Sequence, residues 1–108
     1  MSMRAMAWAR EAMAALPADV NATPRLTLLL LADFANEQGI CWPTVSRLAN
    51  EVGCTPRTVQ RAMEVLVEQG MLKVVPRKVE TGRQVSNFYL LPIGNKSRKR
   101  QMRAGGEA

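Results

Sequence analysis

The chain has 108 residues, of which 47% are hydrophobic and 22% charged, and this balance predicts one globular domain rather than a disordered chain. Fifteen Lys and Arg against nine Asp and Glu leave a net charge of +6, which predicts a polyanionic partner. The longest apolar run, residues 26–32, is far shorter than the roughly 20 residues of a membrane span, and the N-terminus shows no secretory signal. We therefore expect a cytoplasmic protein that does not bind membranes.

The two cysteines, Cys41 and Cys54, stand in a chain without histidine. Structural zinc sites use about four Cys or His ligands, so we expect no metal and no cofactor. A reducing cytoplasm disfavours a disulfide, and both cysteines are predicted to be small buried hydrophobes. Histidine, the usual general base, is missing, and the carboxylates of Asp33 and Glu37, expected one helical turn apart, have no nucleophile nearby. We therefore expect no enzymatic activity.

The first 22 residues are assigned to an N-terminal unit. Residues 3–16 are rich in Ala and Met, which favour helix, and their apolar side chains form two stripes rather than one narrow face. Two interpretations follow: a helix that packs on the rest of the fold, or an arm that pairs with a second subunit in a homodimer. Residues 17–24 contain two prolines and are predicted to form a loop.

The next helix is predicted to begin with Thr23 as its N-cap and Pro24 in its first turn. Its apolar positions recur every three or four residues, at Leu28, Leu31, Ala32 and Ala35. Gly39 is predicted to end this helix. Residues 40–42 have strand propensity and could join a small sheet, with Trp42 interpreted as a core residue.

Two shorter helices are predicted on either side of Gly53. The first opens at Pro43-Thr44 and the second is capped by Thr55 and ends at Gly70. Their inward positions are Val45, Leu48, Ala49 and Val52 in the first helix and Val59, Ala62, Met63, Leu66 and Val67 in the second. A small residue at Ala49 and a glycine that can adopt positive φ at Gly53 are typical of a helix-turn-helix.

A β-hairpin is predicted after these helices. Residues 71–75 and 85–91 have the pattern of strands, and the basic loop 76–84 between them carries turn residues at Thr81-Gly82. The predicted fold is therefore mainly α with a small β-hairpin: a winged helix-turn-helix over residues 23–93, with an extra N-terminal helix or arm. Residues 94–108 are predicted to be a disordered basic tail that attracts phosphate through Lys96, Arg98, Lys99, Arg100 and Arg103.

Three stretches carry a resemblance to a known family: LLLLADFANEQGICWP, RLANEVGCTPRTVQRAMEVLVEQGML and SNFYLL. They resemble the winged helix domain of phage and plasmid replication initiators, such as the origin-binding domain of lambda-type O proteins, and of small bacterial regulators. The resemblance covers about residues 24–91 and implies double-stranded DNA as the partner, with replication or transcription proteins as further partners. Initiators carry a further domain that recruits a helicase or its loader, whereas here a short basic segment follows Leu91. Replication initiation and transcription regulation therefore both stay open.

The residues expected to contact DNA come from the two paired helices and the hairpin. Arginine can bind guanine bidentately, glutamine can pair with adenine, and threonine can contact a base edge, while a helix N-terminus attracts phosphate. The candidates are Arg47 on the first helix; Thr55, Pro56, Arg57, Thr58, Gln60, Arg61 and Glu64 on the second; and Arg77, Lys78, Arg83 and Gln84 in the hairpin. The alternatives are a solvated face, a surface pair between Arg61 and Glu64, and a winged helix that serves as a protein adaptor.

Overall fold

Four helices and three short strands make up the chain in the computed structural model, which describes residues 2–77 and 86–93. The order is α1 (Met3–Ala15), α2 (Ala22–Phe34), β1 (Ile40–Cys41), α3 (Val45–Val52), α4 (Pro56–Glu68), β2 (Lys73–Val75) and β3 (Phe88–Leu90). This order is the predicted one. The strands are shorter than predicted because only the residues in register with a neighbouring strand form the sheet.

The first helix, α1, packs against α2 as part of the core. Ser2 is its N-cap, and the hydroxyl oxygen accepts a hydrogen bond from the backbone N–H of Ala5. The guanidinium of Arg25, on α2, donates hydrogen bonds to three carbonyl oxygens around the end of α1. The side chains that α1 buries are those of Ala5, Trp8, Ala9 and Ala12, most of which are small enough for a close approach.

The second helix, α2, starts earlier and ends earlier than predicted. Asn21 rather than Thr23 is the N-cap, because its side-chain oxygen accepts the N–H of Thr23. At the other end, the helix stops at Phe34 instead of continuing to Gly39. The predicted buried positions Leu28, Leu31, Ala32 and Ala35 are all buried.

The early end of α2 is explained by the side chain of Asn36. Its Oδ1 accepts the backbone N–H groups of Gln38 and Ile40, which folds the chain into a turn that competes with helix. Glu37 therefore lies outside the helix, and the predicted carboxylate pair one turn apart with Asp33 is wrong.

Gly39 occupies a place in this turn where a side chain would collide with the backbone next to the sheet. Its φ of +83° is left-handed, its carbonyl accepts the N–H of Leu91 at 2.8 Å, and a Cβ there would lie 2.7 Å from the carbonyl oxygen of Leu91. Gly39 thus permits the approach of residues 39 and 91 next to the β1–β3 pair.

We expect Gly39→Ala to destabilise the protein more than Gly70→Ala. Both positions have positive φ, which costs an alanine about 1–2 kcal/mol, but the space around Gly70 is open and only Gly39 adds the backbone collision. Chemical denaturation of the two variants measures the difference. Equal losses of stability would show that the contact with Leu91 does not constrain residue 39.

Helices α3 and α4 form the predicted pair around Gly53, whose φ is +89°. Thr44 caps α3 by accepting the N–H of Arg47, and Thr55 caps α4 by accepting the N–H of Thr58. Between the helices, the side chains that are fully buried include Leu48 of α3 and Val59 of α4. The predicted helix-turn-helix is therefore confirmed in its caps, its turn and its core.

One inward position on α4 was predicted wrongly. Val67 is 45% exposed, while Val59, Ala62, Met63 and Leu66 are buried. Each residue advances roughly 100° around a helix, so Val67 lies on the edge of the buried face, next to Leu66 rather than beneath it. The helix ends at Glu68, and the predicted Gly70 follows the C-cap Gln69 with a φ of +74°. There the N–H of Met71 donates to the carbonyl of Leu66 and that of Gly70 to the carbonyl of Val67.

The three strands form an antiparallel sheet in the order β1-β3-β2. Tyr89 lies at its centre, opposite Cys41 on one side and Val74 on the other, and is buried. Trp42, which was predicted to be a core residue, is 49% exposed because it follows the end of β1; its ring contacts Phe88 edge to face. The β2–β3 hairpin, called the wing below, completes a winged helix-turn-helix fold, which confirms the predicted class.

Both cysteines are free thiols, but only Cys41 is fully buried; Cys54 is half-buried, against the prediction. Burial raises the pKa of the Cys41 thiol to about 12 from its ordinary 9.0. The thiol therefore stays protonated in the folded protein where the unfolded chain would ionise. The stability that the buried, protonated thiol contributes is fully present below pH 9.0 and is lost as the pH rises toward about 12.

We expect iodoacetamide at pH 8 to alkylate Cys54 in the folded protein and Cys41 only after unfolding, because the thiolate is the reactive form. Peptide mass spectrometry of protein treated with and without denaturant distinguishes the two sites. Rapid alkylation of Cys41 in the folded protein would contradict its burial in the sheet.

Candidate nucleic-acid interface

The candidate residues on α4 share one exposed surface because the opposite side of the helix is buried. Val59, Ala62, Met63 and Leu66 pack toward α2 and α3. The side chains of Arg57, Gln60, Arg61 and Glu64, called the outer face below, are all exposed. Thr55, Pro56 and Thr58 are also exposed at the start of the helix, so the structure brings all seven candidates of this segment together.

The outer face carries two arginines. Within residues 2–77 and 86–93, neither Arg57 nor Arg61 makes a hydrogen bond or ion pair, and the surface pair between Arg61 and Glu64 is not formed. A free guanidinium keeps its five N–H donors in a planar fork, the geometry that guanine or phosphate binds bidentately.

The N-terminus of α4 has little backbone capacity left for an anion. Pro56 has no N–H, and the N–H of Thr58 is bonded to the hydroxyl oxygen of Thr55. The two threonine hydroxyls also bond each other, 3.0 Å apart. Among the first three residues of the helix, the backbone N–H of Arg57 is the one with no partner in the described part of the chain. Any phosphate bound here would therefore find one free backbone N–H, that of Arg57, and would otherwise be held by side chains.

A small cleft separates the start of α4 from the N-terminus of α2. Thr58 and Arg61 line one side and Asn21 and Thr23 the other, around a volume of about 190 Å³. Asn21 and Thr23 were not predicted to be near the candidate residues. No local sequence signal could have found them, because only the packing of α2 on α4 brings them there.

A larger groove of about 570 Å³ lies between α4 and the wing. Gln60 and Glu64 line it from the helix, and Asn87, just before β3, is a third residue that the sequence did not predict to lie there. Glu68 adds another carboxylate on the same side. Two carboxylates repel phosphate, so Glu64 suits a base edge such as the amino group of cytosine rather than the DNA backbone.

Arg47 stands on the flank of α3 and is already engaged. Its Nε donates to Glu51 Oε2 at 3.2 Å, one turn along the helix, and its guanidinium lies 4.8 Å from the centre of the Phe34 ring. The pair is exposed, so it contributes little to stability and can be exchanged for a phosphate contact.

Arg77, the first of the hairpin candidates, is half-buried at the base of the wing. It donates two hydrogen bonds to Ser86 and lies over the ring of Phe88. The other hairpin candidates, Lys78, Arg83 and Gln84, lie outside the described residues, as does the predicted tail 94–108.

Two negative findings concern the described residues alone. No group of three or more His, Cys, Asp or Glu side chains in residues 2–77 and 86–93 could hold a metal ion. No helix of this part of the chain is long and apolar enough to cross a membrane.

A family model, a curated protein and a solved structure are similar to this chain. Residues 21–72, from the N-cap of α2 to the residue before β2, match a family described as a helix-turn-helix domain. Protein YmfN of Escherichia coli strain K12 is 36% identical over 52 residues, which cover 48% of this chain and 11% of YmfN. A possible transcriptional regulator from Methanosarcina mazei Go1, a solved structure, is 18% identical, with a TM-score of 0.44 over 94% of this chain and 83% of that one.

The match over residues 21–72 agrees with the helix-turn-helix of the structure, and it supports DNA binding by this segment. The chain spans about a tenth of the length of YmfN, the curated relative that it matches. The resemblance to replication initiators stays a prediction.

Proposed function

We propose that this protein binds double-stranded DNA selectively, with the outer face of α4 against the base edges of the major groove. The observation that carries the proposal is the pair of exposed guanidinium groups of Arg57 and Arg61, on the second helix of a helix-turn-helix. Neither group has a partner among the described residues. That helix is the one that enters the major groove in proteins with this motif. The match of residues 21–72 to a helix-turn-helix family supports the same assignment.

The spacing of the two arginines on α4 suits contact with neighbouring base pairs. Arg57 and Arg61 are four residues apart, so their Cα atoms are separated by roughly 6 Å along the helix. Base pairs are stacked about 3.4 Å apart, so two side chains one turn apart reach bases one or two steps apart. Each arginine can take guanine O6 and N7, while Gln60 between them can take adenine.

The remaining candidates would contact the DNA backbone on either side of α4. Thr55 and Arg47 would contact phosphates next to α4, and Lys78, Arg83 and Gln84 would do so from the hairpin loop. The net charge of +6 favours such contacts in general, and those made by Lys and Arg make the affinity depend on salt. Base contacts then supply selectivity within a complex that the phosphates hold in place.

The biological role that we propose is regulation of transcription or initiation of replication, in the manner of phage and plasmid proteins with a winged helix. Both roles need the same first step, binding to a defined duplex site. A homodimer would bind two half-sites in inverted orientation, so the arrangement of the site also tests the oligomeric state.

The experiment that tests the function is selection from a library of random duplexes with the purified full chain. We expect a common site to be enriched over successive rounds. A folded protein that enriches no sequence would overturn the proposal and favour the adaptor alternative. That alternative predicts an apolar or acidic outer face, whereas two arginines stand there.

A further inference from the structure

The base of the wing is tied to the end of β1 by a chain of hydrogen bonds. Arg77 and Ser86 are the described residues on either side of positions 78–85. The guanidinium of Arg77 donates from Nε to the carbonyl of Ser86 at 2.7 Å and from Nη2 to its hydroxyl oxygen at 3.3 Å. The same hydroxyl donates to the carbonyl of Trp42 at 2.8 Å. One serine therefore connects the end of β2, the start of β3 and the segment that leads into α3.

An aromatic ring holds this arrangement from the side. The guanidinium of Arg77 lies 4.5 Å from the centre of the Phe88 ring. The Trp42 ring lies 6.0 Å from the same centre at 79°, an edge-to-face contact. Both contacts are favourable electrostatically, and the first places a cation on the negative face of the ring.

We infer that Arg77 is a positioning residue for the wing and not itself a DNA contact, an inference that rests on the proposed function. Two of its N–H donors are bonded to Ser86 and its planar group lies on Phe88. It joins the two ends of the segment that carries Lys78 and Arg83, and Ser86 joins both ends to Trp42. Fixing these ends before DNA arrives reduces the ordering cost of the contacts that the loop makes.

The Arg77→Lys variant distinguishes a positioning role of this residue from a direct contact with phosphate. Arg77→Lys keeps the charge but loses the planar fork and the stacking on Phe88. Positioning predicts that it binds the selected duplex as weakly as Arg77→Gln does. A direct phosphate contact predicts that lysine restores most of the affinity.

Ser86→Ala is the second variant, because it changes no charge. Removing one hydrogen-bonding hydroxyl should weaken binding about 2–10-fold, by the usual contribution of such a bond. The slope of log affinity against log salt should also become shallower, although no cation has been removed, because a displaced loop contacts fewer phosphates. A general loss of stability would not change this slope while the protein stays folded. Ser46→Ala, on the exposed side of α3, is the matched control.

The combined variant gives the sharpest outcome. The double variant Arg77→Gln, Ser86→Ala should lose less binding free energy than the two single variants lose in sum, because both substitutions remove the same connection. Additive effects, with wild-type affinity and salt slope in Ser86→Ala, would overturn the inference. Thermal melting of each variant confirms that folded proteins are compared.

A measurement without DNA keeps this inference apart from the proposed function. The ¹⁵N heteronuclear NOE of the amides at positions 77, 86 and 87 should fall in Arg77→Lys and Ser86→Ala and stay unchanged in Ser46→Ala. If the wild type selects no duplex but these values fall, the proposed function fails and the positioning role of Arg77 stands. If they do not fall, the positioning role is contradicted whatever the protein binds.

Discussion

Val59→Asp is expected to leave the protein unfolded at 25 °C. Val59 is 0% exposed, within the core that α4 shares with α2 and α3. A carboxylate placed there loses its water, and the described core holds no cation to pair with it. Domains of this size have about 5–15 kcal/mol of stability in total. Far-ultraviolet circular dichroism and thermal melting measure the loss.

Val67→Asp is the matched control for this change. It makes the same substitution on the same helix, but Val67 is 45% exposed and the new carboxylate stays in water. We expect a loss of at most about 1 kcal/mol, typical of a surface position. If Val59→Asp melts like wild type, or if the two variants are equally unstable, the orientation assigned to α4 is wrong.

The second large effect that we expect is the loss of DNA affinity when the arginines of the outer face are removed. Arg57→Ala and Arg61→Ala should each weaken binding to the selected duplex by about 1–3 kcal/mol, the usual value of a bidentate base contact. The melting temperature should change little, because neither guanidinium has a partner in the described part of the protein. Titration of labelled duplex with each variant, at one salt concentration, measures the loss.

Arg10→Ala controls for the loss of one positive charge. Arg10 is exposed on α1, which packs against α2, so its removal should lower affinity slightly and equally for every duplex. If Arg57→Ala and Arg61→Ala behave like Arg10→Ala, the arginines attract phosphate only and α4 does not determine selectivity.

The helix-turn-helix could be predicted because its signals are local. Thr55 caps α4 with its own side chain, Gly53 supplies the left-handed turn, and the buried positions recur every three or four residues along each helix. Features of this kind depend on residues a few positions apart, so the sequence alone contains them. The outer face of α4 followed from the same periodicity.

The errors concern features that depend on the rest of the fold. Asn36 ends α2 through a side-chain turn that competes with an otherwise good helix pattern. Trp42 and Val67 are large and apolar, yet their exposure is decided by where β1 ends and by the edge of the buried face of α4. Burial of this kind depends on tertiary packing and not on the residue type alone.

The residues of the candidate site also divide into those that local patterns predict and those that tertiary packing brings there. Its arginines were found from charge and spacing, whereas Asn21, Thr23 and Asn87 join its surroundings through packing between distant segments. Arg77 was expected to contact DNA because it is basic and lies in a hairpin. Its bonds to Ser86 and its stacking on Phe88 depend on the register of β2 and β3, which no short pattern specifies.

The central claim is that the outer face of α4 distinguishes one duplex sequence from another. The most direct measurement is the ratio of affinities for the selected duplex and a shuffled duplex of the same composition, for wild type and for the Arg57→Ala, Arg61→Ala double variant. We predict a wild-type ratio of at least about 10³ at physiological salt, as for other specific DNA-binding proteins, and a ratio near one for the double variant. A wild-type ratio near one, or a large ratio that survives removal of both arginines, would contradict it.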